Sequence, residues 1–226
     1  MCEVRESFSD QRNVSFITEP RERCREDTDL LLLVLSTIRR REKRDLWRRM
    51  VRGREGTRIL FIIANTDDET ESVLAESEAE GDLLFPDLSD GHERLSYKVL
   101  SGLVWAYLQC SQARYVAKTD DNVVLDLERL TQNLQTLQLS GEEEKFVACE
   151  SPVRNTRWVR PSRGEVTSGW SVDPGSGGLE ERVPDWCVGW LYLTTPRVST
   201  SPSLSHINDL CPGGGRVGPG WAFSLP

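Results

Sequence analysis

Four consecutive residues, Thr119-Asp120-Asp121-Asn122, bunch oxygen ligands at the point where an apolar run stops. Before them stands the strand-like stretch Tyr115-Val116-Ala117-Lys118, and after them Val123-Val124-Leu125 resumes apolar character. Hard cations such as Mg2+ and Mn2+ take such ligands, and a metal held by one or two carboxylates commonly completes its shell with phosphate oxygens of a substrate. A sugar nucleotide has that chemistry. Asp-Asp-Asn is also ordinary turn composition, because these short side chains bond to their own backbone. The apolar flanks point to burial, where an uncompensated carboxylate is costly, so the acids require a cation partner.

Other catalytic signatures are sparse. The two histidines, His92 and His206, stand near no serine or cysteine in a recognisable triad, which gives hydrolase chemistry little support. Six cysteines are scattered as Cys2, Cys24, Cys110, Cys149, Cys187 and Cys211 without a CxxC or Cys/His cluster, so structural zinc is disfavoured and separate disulfides or free thiols remain. A formal net charge of -8 argues against a general nucleic-acid binder. The local exception is Arg39 to Arg54, rich in arginine, with Leu46, Trp47, Met50 and Val51 at helical spacing. It reads either as a solvated helix face or as a phosphate site.

The elements that must position the acidic cluster alternate. Leu30 to Leu35 and Arg58 to Ala64 are continuous apolar runs of the kind found in strands covered on both faces. The second ends at Asn65-Thr66-Asp67-Asp68, another polar rim. An acidic helix is expected over Glu69 to Glu80, a short strand or loop from Gly81 to Phe85, and a helix over Glu93 to Cys110, where Leu95, Val99, Leu103, Ala106 and Tyr107 follow a 3.6-residue period. Beyond the acidic cluster, Leu127, Leu130, Leu134 and Leu137 share one helix face, and Lys145 to Cys149 is a further strand. This alternation predicts an α/β fold with a mostly parallel sheet flanked by helices, whose ligands sit beyond the carboxyl ends of the strands.

At 226 residues and 38% hydrophobic content the chain suffices for one large α/β domain or two small ones. The composition divides it into a charged arm over 1–29 expected to be disordered, a folded domain over 30–195, and a disordered Ser/Pro/Gly-rich tail over 196–226. The longest apolar stretch, Leu30 to Leu35, is far short of the roughly 20 residues of a spanning helix. Met1 to Asp29 is charged throughout and has no signal-peptide h-region, so no targeting segment is visible.

Taken together, residues 30 to 195 resemble the β-1,3-galactosyltransferases of glycosyltransferase family 31. Arg39-Arg40-Arg41-Glu42-Lys43-Arg44-Asp45-Leu46-Trp47 is similar to the family's R-R-x-x-x-R-x-x-W helix, and Gly81-Asp82-Leu83-Leu84 to its glycine-aspartate strand. Cys110 to Val123 is similar to C-x-x-A-x-Y-x-x-K-x-D-D-D-V, with Asn122 in place of the third acid. Pro184-Asp185-Trp186-Cys187-Val188-Gly189-Trp190-Leu191-Tyr192 resembles the family's acceptor-side element Y-P-x-Y-C-x-G-x-x-Y.

The resemblance implies a GT-A-like, Rossmann-like fold with an incomplete C-terminal part. It implies a hexosyltransferase that moves a sugar, with inversion, from a UDP-sugar to a glycan or glycoconjugate acceptor in protein glycosylation. The donor would be UDP-galactose or a UDP-N-acetylhexosamine, with Mn2+ or Mg2+ as cofactor. Arg44, Asp120 and Asp121 would bind the donor nucleotide, Asp120, Asp121 and Asn122 the metal, and Trp186, Gly189 and Tyr192 would lie on the acceptor side. Cys110 and Cys187 would be disulfide partners. The location implied is the Golgi lumen, with membrane attachment only through an anchor that this sequence does not display. No segment matches the family's later E-D-V element, which supplies the catalytic carboxylate; Asp209 is the only acid after Asp185. The alternative is therefore a catalytically inactive fragment or pseudoenzyme that binds nucleotide or glycan without transfer.

Overall fold

The computed structural model describes residues 15–64, 70–89, 94–139, 147–149, 152–153, 186–187 and 190–196. Outside them lie Asn65 to Asp68, Gly189, residues 1–14 and the expected tail from 197 onward, together with the side chains of Leu137, Trp186 and Cys187.

The apolar runs form the expected strands. β2 (Leu30–Leu35) lies between β3 (Thr57–Ile62) and β5 (Tyr115–Asp120), parallel to both, and β4 (Leu83–Pro86) pairs parallel with β3. Two elements run against this core: β1 (Phe16–Thr18) pairs antiparallel with β4, and β9 (Leu191–Thr194) inserts antiparallel between β5 and β6 (Val147–Cys149). The sheet therefore reads β1-β4-β3-β2-β5-β9-β6, while β7 (Pro152–Val153) and β8 (Trp186–Cys187) form a separate antiparallel pair.

Every residue of β2 is buried, as required of a central strand with helices on both sides. Leu30, Leu32 and Val34 face the side covered by α1 (Arg41–Val51), α2 (Thr70–Glu80) and α4 (Leu127–Leu139). Leu31, Leu33 and Leu35 face α3 (Leu95–Gln109). The α3 contact is close because Gly102 has no side chain; a Cβ there would collide with the Ile62 side chain. On the opposite face Leu127, Leu130 and Leu134 of α4 are buried, and the Tyr115 hydroxyl donates to the Leu134 carbonyl at 3.3 Å.

The boundary expected at residue 29 lies earlier. Residues 15–29 pack onto the domain: β1 extends the sheet, the Asp87 amide donates to the Ser15 carbonyl at 2.9 Å, and Thr28 is buried. Composition misleads here because much of the contact is supplied by the backbone of the arm, which composition does not report. The Arg58 guanidinium, for example, donates to the carbonyls of Glu22 and Arg23.

The disulfide expectation is also corrected. Cys110 is bonded to Cys24, with Cα atoms 4.8 Å apart, and not to Cys187. Cys110 ends α3 on the face where the arm crosses, and the Cys24 amide donates to the neighbouring Gln109 carbonyl at 3.3 Å. Closing a loop of 86 residues contributes roughly 4 to 5 kcal/mol on the chain-entropy account. Cys149 is disulfide-bonded as well.

Candidate functional site

From β2 the chain steps outward through β3 to β4, then α3 carries it back across to β5 on the other side of β2. The strand order reverses between the carboxyl ends of β2 and β5, which is the crevice where open α/β sheets bind ligands. Leu35 is the register partner of Asp120, and the Asp121 amide donates to the Leu35 carbonyl at 3.0 Å. The acidic cluster thus stands at the switch point. It is also a turn, closed by the Val123 amide on the Asp120 carbonyl at 3.2 Å.

The three polar residues of this turn face different surroundings. Asp121 is turned inward: its carboxylate accepts from the Ser36 hydroxyl at 2.8 Å and from Arg40 at 2.7 Å, and its carbonyl accepts from Trp47 Nε1 at 3.3 Å. The cation that its burial demands is a guanidinium of this chain. Asp120 keeps a third of its side-chain surface (33%) open and accepts from the buried Lys118 ammonium at 2.8 Å. Asn122 is exposed.

On the far side of Asp120, Lys118 stands 5.7 Å above the ring of Tyr192, its register partner in β9. Burial, and secondarily the Asp120 charge, hold the Tyr192 hydroxyl well above the ordinary tyrosine range, so it remains a protonated donor. Tyr192 therefore belongs to the face that carries Lys118 and Asp120. Trp186 lies in β8, and its side chain and Gly189 fall outside the described residues.

Arg44 has another place than direct contact with a nucleotide. Its side chain is 1% exposed, and all five N–H groups have partners within the protein. Nε and Nη2 donate to the two oxygens of Glu76, Nη1 to the Ser36 hydroxyl and the Thr37 carbonyl, and Nη2 also to the Ile38 carbonyl. It holds the loop after β2 from below. Lys98 of α3 supports the same loop from the other face, donating to the Ser36 carbonyl at 2.6 Å.

Sequence reasoning overlooked Arg40. Its guanidinium reaches the Asp121 carboxylate, yet 51% of its side chain is exposed at the rim of the switch point. The signal was present in Arg39-Arg40-Arg41, but only the 3-10 turn Ile38–Arg40 that precedes α1 selects the second arginine for this position.

Among the described residues no group of three or more His, Cys, Asp or Glu gathers around one point. A hard cation here would draw on Asp120 and the Asn122 amide oxygen and take its remaining ligands from a bound diphosphate, a division usual for Mg2+-type sites. The donor set fits such an ion.

A mostly parallel sheet with an acidic turn at its switch point and an antiparallel strand beyond it defines a GT-A-like α/β protein. The chain belongs to the galactosyltransferase family, whose model matches residues 38–201. It is 29% identical over 210 residues to β-1,3-galactosyltransferase 5 of Homo sapiens, covering 86% of this chain and 63% of that protein. Against β-1,3-galactosyltransferase 1 of Mus musculus it is 26% identical over 219 residues, 86% of this chain and 61% of the relative. A shorter stretch of 60 residues is 45% identical to human β-1,3-galactosyltransferase 4, covering 26% of this chain and 16% of that protein. The chain thus spans somewhat less than two thirds of the length of β-1,3-galactosyltransferases 5 and 1.

Proposed function

We propose that the protein is a hexosyltransferase that moves a sugar, galactose in the first instance, from a UDP-sugar to a hydroxyl of a glycan acceptor with inversion. The single observation that carries this reading is the seating of Asp120 at the β2/β5 switch point, partly open and braced by Lys118. Family membership supplies the class of reaction. In the transfer the acceptor hydroxyl oxygen attacks the anomeric carbon, the bond to the diphosphate breaks, UDP leaves with the electron pair, and the hydroxyl proton passes to a general base.

Each described residue has a task in this reading. Asp120 and Asn122 would hold Mn2+ or Mg2+, which would supply positive charge beside the departing diphosphate. Asp121 fixes Arg40 at the rim, from which a guanidinium favours phosphate oxygens. Arg44 and Lys98 keep the β2 loop in place, and Tyr192 and Lys118 orient Asp120. The Cys24–Cys110 disulfide supports an oxidising compartment, consistent with the Golgi lumen. No described helix is long and apolar enough to cross a membrane.

A nucleotide-binding protein without transfer is the second reading, favoured by Asn122, which leaves Asp120 as the one carboxylate of the turn that is open to a ligand. Two measurements decide. Titration calorimetry with UDP and Mn2+ should give heat that Asp120→Ala abolishes, and its absence from the folded wild-type chain would reject the donor site. Radiolabelled UDP-galactose offered with several glycan acceptors should give product, whereas UDP binding without turnover would establish the second reading.

A further inference from the structure

Trp190 is 61% exposed, the largest aromatic left open among the described residues. Its place is defined by its neighbours. Leu191, the first residue of β9, pairs with Thr119, so one further step of this antiparallel register brings Trp190 level with Asp120. Within the acidic turn Asn122 is exposed, and Val124 just after it is 73% exposed. The rim of the switch point therefore carries an indole, a carboxylate one third exposed, a side-chain amide and a small exposed apolar residue.

We infer that Trp190 is the stacking platform for a pyranose ring. A pyranose presents an apolar C–H face and an equator of hydroxyls. An indole offers a wide flat surface for the first at low entropic cost, and Asp120 and Asn122 offer acceptors and donors for the second. An aromatic kept open beside charged groups leaves an apolar area in water that a sugar face would cover. Among the described residues the buried aromatics of the core are Trp47, Phe61, Phe85, Trp105 and Tyr115, and the exposed indole is not one of them.

The inference deepens the transferase reading and rests on it for the choice of sugars, which come from the acceptor glycan or from the donor. Saturation-transfer NMR on the full chain separates the two with β-galactosides and β-N-acetylglucosaminides in one arm and UDP-galactose against UDP in the other. Trp190→Ala should weaken binding about tenfold in one arm, and Trp190→Phe should retain most of it. Loss confined to the glycosides assigns the platform to the acceptor; loss for UDP-galactose with UDP unchanged assigns it to the donor hexose. Equal sugar affinity in the wild type and Trp190→Ala, or no sugar binding by the folded wild type, would overturn the assignment. UDP and Mn2+ calorimetry reports the donor site separately, so the two readings can fail independently. Unfolding temperatures should match across the three proteins because the side chain is open.

Discussion

The two flanks of the switch point use charge in opposite ways. On the α1 flank the charges are sealed: Arg44 is 1% exposed and Glu76 2%, and they meet in a forked ion pair. Arg48 extends this pair, donating to Asp82, to Asp45 and to the Glu76 Oε1 that Arg44 Nε also reaches, all between 2.6 and 2.8 Å, while its guanidinium lies 5.0 Å over the Phe61 ring. On the open flank Asp120 of β5 and Arg40, delivered to the rim by the 3-10 turn before α1, keep a third and a half of their side-chain surface in water. Both flanks are rich in charge, but only one leaves it where a ligand can reach. The sealed flank sets the position of the loop after β2, and the open flank supplies the groups with which a ligand would interact.

Breaking the sealed flank should have the largest effect. Glu76→Gln leaves Arg44 buried with its charge uncompensated, and removing one member of a buried pair typically costs about 3–5 kcal/mol. Urea unfolding should show this loss as a lower midpoint. The pH dependence has a definite sign. Burial pushes the Glu76 carboxyl up, but hydrogen bonds from Arg44 and Arg48 outweigh it and hold the group below the usual glutamate range. A depressed carboxyl contributes stability that is present above its unfolded value, about 4.3, and lost as pH falls through the folded one. The wild type should therefore lose stability on acidification more steeply than Glu76→Gln; parallel acid-unfolding curves would contradict the role given to this carboxylate.

Asp121 joins the two flanks, and its substitution should rank second. Asp121→Asn keeps the shape but removes the charge that receives Ser36 and Arg40, a loss of about 1.5–3 kcal/mol for bonds to a charged group. The expected result is a modest drop in unfolding temperature together with weaker UDP binding in Mn2+, because Arg40 loses its anchor. A stability loss with unchanged UDP affinity would confine Asp121 to the fold.

How much of this contrast the sequence reveals depends on whether the signal is a period or a pairing. The strands, the helices and the switch-point seat of Asp120 follow from apolar runs and alternation, which burial on both faces imposes directly. The direction of each charged side chain is not periodic in the same sense. Arg40 and Arg44 are one helical turn apart in a run of basic residues, and only the 3-10 entry to α1, closed by the Arg40 amide on the Thr37 carbonyl, turns one to the rim and the other to the interior. Cys24 was hidden for a similar reason: it sits in a charged stretch whose contacts are made by backbone, and disulfide connectivity cannot be read from spacing.

The smallest predicted effect sharpens the comparison most. Arg40→Lys keeps a positive charge that can still approach Asp121, so the fold should hold and the unfolding temperature should change little. What it removes is the planar fork that lets one guanidinium bind a carboxylate and a phosphate at once. If the open flank is where a diphosphate docks, UDP affinity in the presence of Mn2+ should fall several-fold, roughly 1 kcal/mol, with little change in unfolding. The matching change on the sealed flank, Arg44→Lys, should do the reverse: a compact ammonium cannot replace five N–H bonds inside the protein, so stability falls first and affinity only as the β2 loop loosens. Calorimetry and thermal unfolding on the same two variants test this crossing of effects, and a parallel response would mean that the two arginines share one structural role.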